Sequence, residues 1–184
     1  MPRTVRNLVA LAVLVPLAYA GWNASWQWFI NSHHLSFVPS AMGVQRVLYV
    51  SEESWGLGPG GNETGIIVYE MPATIAADLS RRGLVYLNEL SSQATAREWR
   101  GRYSDWQLTP IEIKGVWRPT EAVPTSSPIR DYLGRYGFAI PVRSDVEHLT
   151  NGALLNAGSF YARGRTGVII LVPSQKRIIY AYRG

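Results

Sequence analysis

GVIILVPSQKRIIYAY, residues 167–182, is the stretch that most clearly predicts the fold. Two runs rich in β-branched and aromatic residues, Gly167–Pro173 and Arg177–Tyr182, flank the short polar segment Ser174-Gln175-Lys176. Runs of this length and composition on either side of a tight turn are typical of a β-hairpin. The sequence therefore predicts two antiparallel strands at its C-terminal end.

A second hairpin is predicted towards the other end of the chain. Val44–Val50 is rich in β-branched residues, and so is Gly65–Met71. The residues between these two runs are polar and glycine-rich, which is typical of a long loop.

Helices are predicted after this hairpin. Pro72 stands at the first turn of PATIAADLSRRG, Asp78 and Arg82 have the i,i+4 spacing of an ion pair, and Gly83 ends the pattern. These features together predict a helix of about ten residues. Leu84–Leu90 fits either a strand or a second short helix.

The second half of the chain is less regular. Residues 91–128 are rich in Pro, and Ile111–Trp117 is the one strand candidate among them. A short helix is predicted from Pro128 to Gly137. A capping box, Ser144-Asp145-Val146-Glu147, predicts the start of a helix that ends near Gly158. Phe160–Arg165 fits an edge strand or a loop.

Hairpins at both ends with helices between them predict a single small α+β domain over residues 44–184. We expect a mainly antiparallel sheet of about 4–6 strands and 3–4 short helices.

The N-terminal segment predicts export. Arg3 and Arg6 precede the apolar run Leu8–Ala20, which ends in Ala18-Tyr19-Ala20, so this segment fits a signal peptide cleaved after Ala20. It also fits an uncleaved signal anchor over residues 1–30, since Leu8–Ile30 is long enough to span ~30 Å of hydrocarbon as a helix.

Residues 31–43 would then form a tether between the anchor and the domain. The anchor interpretation places the protein in a bacterial inner membrane, with its N-terminus inside and its domain in the periplasm. The alternative is a periplasmic or secreted domain after cleavage.

The composition narrows the chemistry. The sequence contains no Cys, which excludes disulfides, thiolate nucleophiles and Cys-ligated metals. An exported protein without disulfides points to a bacterium. No arrangement of residues predicts a metal or a cofactor, and the expectation is that neither is present.

GLGPGG, residues 56–61, matches the G-x-G-x-x-G spacing of a dinucleotide-binding loop. Such a loop needs a helix after it, so that the helix N-terminus meets the pyrophosphate. Here a predicted strand follows, and three nearby carboxylates, those of Glu52, Glu53 and Glu63, would repel phosphate. GLGPGG is therefore interpreted as a turn, and no nucleotide is expected.

The same loop supplies candidate functional residues. Glu52, Glu53 and Glu63 are candidate acid–base groups, because clustered carboxylates serve in hydrolysis. Trp55 is a candidate for stacking on a sugar or peptide. The alternatives are solvated carboxylates and an indole that covers the core.

A second candidate surface lies in the segment from Arg97 to Trp106, which interleaves Arg with aromatic residues. Its candidate ligand-binding residues are Trp99, Arg100, Arg102, Tyr103 and Trp106. Arg pairs with carboxylates and Trp stacks on sugar faces, so these residues suit an acidic glycan or lipid headgroup. Alternatively, the aromatic residues anchor an irregular segment to the core. Arg163 and Arg165 would extend this surface if the fold brings them near.

The sequence thus favours a binding module of the bacterial envelope over an enzyme. Its expected partners are the membrane, through the N-terminal segment, and an acidic glycan, a lipid headgroup or an envelope protein. Nucleic acid is not expected, because the domain is exported. The alternatives are a metal-independent envelope hydrolase that uses the loop carboxylates, and a structural subunit of a membrane complex.

Overall fold

The computed structural model describes residues 3–55, 62–92, 100–117, 127–136, 140–165 and 167–183. The chain forms two units, Met1–His34 and Leu35–Gly184. Helix α1 (Arg3–Leu35) makes up the described part of the first unit.

The predicted N-terminal hydrophobic helix is present as α1. From residue 14 onwards, where its side chains are described, its large apolar side chains are exposed: Leu14, Val15, Leu17, Tyr19, Trp22, Trp26, Trp28 and Phe29. Among the described residues, no helix combines the length and the apolar character needed to cross a membrane.

In its described residues, the second unit contains six strands and four α-helices. The strands are β1 (Val47–Trp55), β2 (Asn62–Glu70), β3 (Ser104–Leu108), β4 (Phe160–Arg163), β5 (Gly167–Val172) and β6 (Arg177–Arg183). The helices are α2 (Ala73–Arg82), α3 (Leu84–Ser92), α4 (Pro128–Leu133) and α5 (Ser144–Leu155).

All six strands form one antiparallel sheet in the order β1-β2-β6-β5-β4-β3. The predicted α+β class is confirmed, as are both hairpins, β1–β2 and β5–β6. The segment Leu84–Leu90, ambiguous in the sequence, is helical as part of α3.

Both faces of the sheet are buried, each by a different pair of helices. α2 and α3 pack on one face, against residues such as Ile67 and Tyr180. α4 and α5 pack on the other, against residues such as Val68 and Ile179. Because every residue of β5 is buried, this central strand is apolar along its whole length.

Residues 37–42, within the segment expected to be a tether, pack into the core on the α2–α3 face. Phe37, Val38 and Met42 are all buried there. The ring of Phe37 stacks on Tyr180 with centroids 4.6 Å apart. The domain therefore begins at this segment, before the predicted boundary at residue 44.

Tyr182, on β6, lies between two glycines of the neighbouring strands. It lies opposite Gly65 on β2 and Gly167 on β5. Its hydroxyl donates a hydrogen bond of 2.6 Å to Oε2 of Glu52. A Cβ at Gly65 would lie 2.5 Å from the Tyr182 ring, so this position has room only for glycine.

One predicted strand is wrong. Ile111–Trp117 contains no strand; its last three residues, Gly115–Trp117, form a turn of 3₁₀-helix. Ile111 instead donates its backbone N–H to the carbonyl of Leu154, 2.8 Å away. Ile111 and Trp117 cover the α4–α5 face instead of joining the sheet.

Two predicted local pairings are also wrong. Helix α5 has Arg143 as its N-cap residue and no side-chain cap, because Asp145 pairs with Arg143 and Glu147 with Arg130. The capping box is therefore not formed. In α2, Asp78 pairs with Arg81 at i,i+3 and not with Arg82.

We predict that Gly65→Ala lowers the free energy of unfolding by about 1–3 kcal/mol, because the added methyl group displaces a buried tyrosine held by stacking and a hydrogen bond. Urea denaturation of the full chain in a mild detergent measures the change.

Gly152→Ala is the matched control. Gly152 lies inside α5 with nothing within 4 Å of an added Cβ, so this variant should gain up to about 1 kcal/mol from helix propensity. Equal stability of the two variants would contradict the packing at Tyr182.

Candidate ligand-binding cleft

The edge strand β3 contains a bulge. Ser104 lies opposite Arg163 and Gln107 opposite Tyr161, so three steps on β3 match two steps on β4. The extra residue is accommodated by Asp105, whose φ of 55° is in the left-handed region. Asp tolerates this conformation better than most residues, and bulges recur next to functional sites.

The bulge decides which side chains share a face. In a regular strand, Ser104 and Gln107 would point to opposite faces, because side chains alternate. With one extra residue, both lie on the α4–α5 face, beside Arg163 and Tyr161. Trp106 points to the opposite face and is buried in the α2–α3 core.

These residues form a cleft of about 290 Å³ at the sheet edge, lined by Ser104, Asp105, Gln107, Tyr161, Ala162 and Arg163. The volume is near the lower end of the range for small-molecule sites. The cleft therefore suits a group of about the size of one sugar or amino-acid residue.

Tyr161 forms the buried wall of the cleft. Its ring meets Trp117 edge to face, with centroids 6.3 Å apart. Burial raises the pKa of the Tyr161 hydroxyl, although the nearby Arg163 lowers it. The hydroxyl is thus protonated at neutral pH and donates to Oε1 of Gln107. This hydrogen bond leaves the two N–H groups of the Gln107 amide to act as donors.

Arg163 supplies the positive charge of the cleft. The side chain is exposed, and within the described residues its guanidinium forms no hydrogen bond or ion pair. Gly115, with φ of 60°, allows a close approach: a Cβ there would lie 3.4 Å from Nη2 of Arg163. The neighbouring Lys114 and Glu112 pair with each other.

Asp105 supplies a negative charge to the same cleft. Its Oδ2 accepts a hydrogen bond of 3.0 Å from the Ser104 hydroxyl. In the described part of the chain it forms no ion pair, and so it is not neutralised by Arg163. The cleft thus carries two opposite charges that do not pair with each other.

The structure separates the residues of the predicted Arg- and Trp-rich surface. Tyr103 and Trp106 are only 3% and 6% exposed, which places both in the core. The Tyr103 hydroxyl donates to the carbonyl of Phe37 at 2.6 Å, and Nε1 of Trp106 donates to Oγ of Ser91 at 2.9 Å. These two side chains anchor the segment, as the alternative interpretation had it.

The arginines of that surface lie outside the core. Arg100 is half-buried, and Arg102 and Arg165 are exposed. The pairing of Ser104 with Arg163 brings β4 beside this segment, so Arg163 lies next to it. Trp99 lies outside the described residues.

The three candidate glutamates lie on strands and not in a loop. Glu52 and Glu63 are on the α2–α3 face. The pKa of the Tyr182 hydroxyl is raised mainly by its burial, and both carboxylates raise this pKa further. Glu53 faces the other side, opposite Thr64. Only Glu52 and Glu63 are therefore placed to act together.

The glutamates and Arg163 are too far apart for one site. Glu52 is on β1 and Arg163 on β4, which are four strand spacings apart. At about 4.8 Å per spacing, this is roughly 19 Å across the sheet. The side chain of Trp55 and the whole of GLGPGG, residues 56–61, lie outside the described part. β2 follows that segment, as the prediction of a strand there required.

Sequence reasoning missed five of the six residues that line the cleft: Ser104, Asp105, Gln107, Tyr161 and Ala162. SDWQL has no regular alternation, since the bulge breaks the period of two. The one detectable signal is Ser104-Asp105, two polar residues directly after the aromatic Tyr103.

The chain matches no protein-family model, no curated protein and no solved structure.

We predict that Trp106→Ala lowers the free energy of unfolding by about 3–5 kcal/mol, because a buried indole and its hydrogen bond to Ser91 are lost. Urea denaturation of the full chain, followed by circular dichroism, measures this change.

Leu108→Ala is the control, since Leu108 is on the same strand but 55% exposed, and its effect should stay within about 0.5 kcal/mol. A Trp106→Ala variant as stable as the parent would mean that Trp106 is not a core residue.

Proposed function

We propose that this protein is a non-catalytic binding module of the bacterial envelope, which holds an acidic glycan in the cleft between β3 and β4. The observation that carries this proposal is the guanidinium of Arg163, which forms no ion pair with any described residue and lies in a cleft lined by polar side chains. A guanidinium that has no partner among the described residues is available to pair with a carboxylate of a ligand.

The chemistry of Arg163 favours a carboxylate. A guanidinium presents two parallel N–H groups that match the two oxygens of a carboxylate. A hydrogen bond to a charged group contributes about 1.5–3 kcal/mol. The amide N–H groups of Gln107 are further donors within the same cleft.

A glycan fits the rest of the lining better than the alternatives. The hydroxyl of Ser104, the amide of Gln107 and the carboxylate of Asp105 offer both donors and acceptors, which sugar hydroxyls use together. A lipid headgroup or a protein partner remains a distinct outcome of the binding experiments.

The N-terminal helix supports an envelope location. Its apolar side chains are exposed, with Trp22 and Trp28 at 71% and 72% exposure. Contact with another apolar surface would remove these side chains from water. A membrane or the export machinery provides one, and the basic residues Arg3 and Arg6 orient the chain with its N-terminus in the cytoplasm. The domain then works on the periplasmic side, tethered or released.

We predict that Arg163→Gln abolishes retention of the full chain on agarose carrying polygalacturonate, in which every sugar has a carboxylate. Retention should fall at least tenfold, because the variant lacks the only charged partner we assign to that group. The experiment is run in mild detergent, with plain agarose as the neutral support.

Arg81→Gln is the matched control. It removes the same charge from an exposed ion pair on α2, with the Arg81 side chain 72% exposed, and it should leave retention unchanged. Equal losses in both variants would mean that retention depends on the net charge of the protein and not on the cleft. Retention on phosphatidylglycerol vesicles but not on polygalacturonate would indicate that the ligand is a lipid headgroup and not a glycan.

A second candidate function, hydrolysis of an envelope polymer, is favoured by one observation. Glu52 and Glu63 share a face beside Tyr182, as a pair of acid–base groups would. Under this alternative, Glu63→Gln abolishes the release of reducing sugars from purified cell-wall material. Glu70→Gln, an exposed residue of β2 paired with Arg46, should not. No release by the parent would exclude this alternative.

A further inference from the structure

The Asp105 carboxylate is not needed to bind an acidic ligand, and by itself it opposes one. It lines the same cleft as Arg163, and an anion held by Arg163 would lie near it. Two like charges in one small site repel each other unless a positive charge lies between them.

No basic side chain of the described residues neutralises Asp105. Within the described parts of the chain, its only hydrogen bond is the one from the Ser104 hydroxyl, at 3.0 Å, and it forms no ion pair there. The one basic residue among the described lining of the cleft is Arg163, which forms no ion pair with the described residues either. Lys114, on the adjoining segment, pairs with Glu112.

The bulge places this carboxylate in the cleft. Asp105 is the residue that takes φ of 55°, and it is part of the extra step that lets Ser104 and Gln107 face the same side. A glycine would adopt this conformation at lower cost, so the backbone alone does not call for an aspartate.

We propose that the cleft recognises a zwitterionic sugar or amino acid, with Arg163 holding its carboxylate and Asp105 holding an ammonium group. This inference rests on the proposed function and adds the second charge of the ligand.

The spacing of the two side chains fits such a ligand. Ser104 and Arg163 are directly opposite each other, about 4.5–5.5 Å apart at Cα, and Asp105 is the next residue. The two charged groups therefore extend from neighbouring points of a cleft of about 290 Å³. An amino sugar acid carries its carboxylate and its amine within one residue and fits this volume.

Muramic acid and N-acetylmuramic acid are matched probes. Both carry the same carboxylate on the same sugar, but the first has a free ammonium group and the second an uncharged amide. Isothermal titration calorimetry of the full chain in detergent should give at least tenfold tighter binding of muramic acid.

Asp105→Asn tests the role of the carboxylate. Asn accepts a positive φ as readily as Asp, so this variant keeps the bulge while losing the charge. We expect the preference for muramic acid to disappear, with the affinity for N-acetylmuramic acid unchanged within about threefold. Arg163→Gln should weaken binding of both sugars.

The outcomes separate the two proposals. If the parent binds both sugars equally and Arg163→Gln weakens both, the zwitterion inference is overturned while the acidic-ligand proposal stands. If Asp105→Asn keeps the preference for muramic acid, Asp105 is not the group that binds the amine and the inference is again wrong. If the parent binds neither sugar acid, the zwitterion inference is overturned, and retention on polygalacturonate alone decides the acidic-glycan proposal.

Discussion

The fold depends on the burial of β5 and β6 on both faces of the sheet. All residues of β5, and those of β6 from Ile178 to Tyr182, are buried. Antiparallel sheets often leave one face in water, but here neither face is free to do so. Each face is therefore covered by helices, with α2 and α3 on one face and α4 and α5 on the other.

This constraint determines where polar chemistry is possible. The middle of the sheet holds no solvent-exposed side chain on β5, so charged groups collect at the edge strands and at the ends of the strands. The cleft occupies one edge, between β3 and β4. Glu52 and Glu63 lie near the opposite edge of the sheet, on β1 and β2. By strand spacing they are roughly 14–19 Å from β4.

The sequence predicts the elements whose signals are local. The β5–β6 hairpin, the helix between Pro72 and Gly83 and the α+β class follow from apolar runs and from Pro and Gly positions. β3 escaped prediction because one extra residue breaks its alternation, and because its partner β4 is more than 50 residues away in sequence. The capping box failed for a related reason, since Glu147 pairs with Arg130 of another helix.

The candidate site was predicted in part. Arg163 was a candidate, and the register of β3 and β4 brings it beside the Arg- and Trp-rich segment. Its cleft partners could not be found, because sharing a face depends on the bulge and not on residue type. Tyr103 and Trp106 illustrate the converse, since an aromatic beside an arginine fits a binding surface and a buried anchor equally well in sequence.

The most direct test of the account is an NMR titration of the ¹⁵N-labelled full chain in detergent with N-acetylmuramic acid, following the Nε–H signal of Arg163 and the backbone amides. A saturable shift of Arg163, with shifts of Ser104, Asp105 and Gln107, is the result we predict. Shifts confined to the strand ends around Glu52 and Glu63, or no saturable shift at all, would contradict the assignment of the cleft as the binding site.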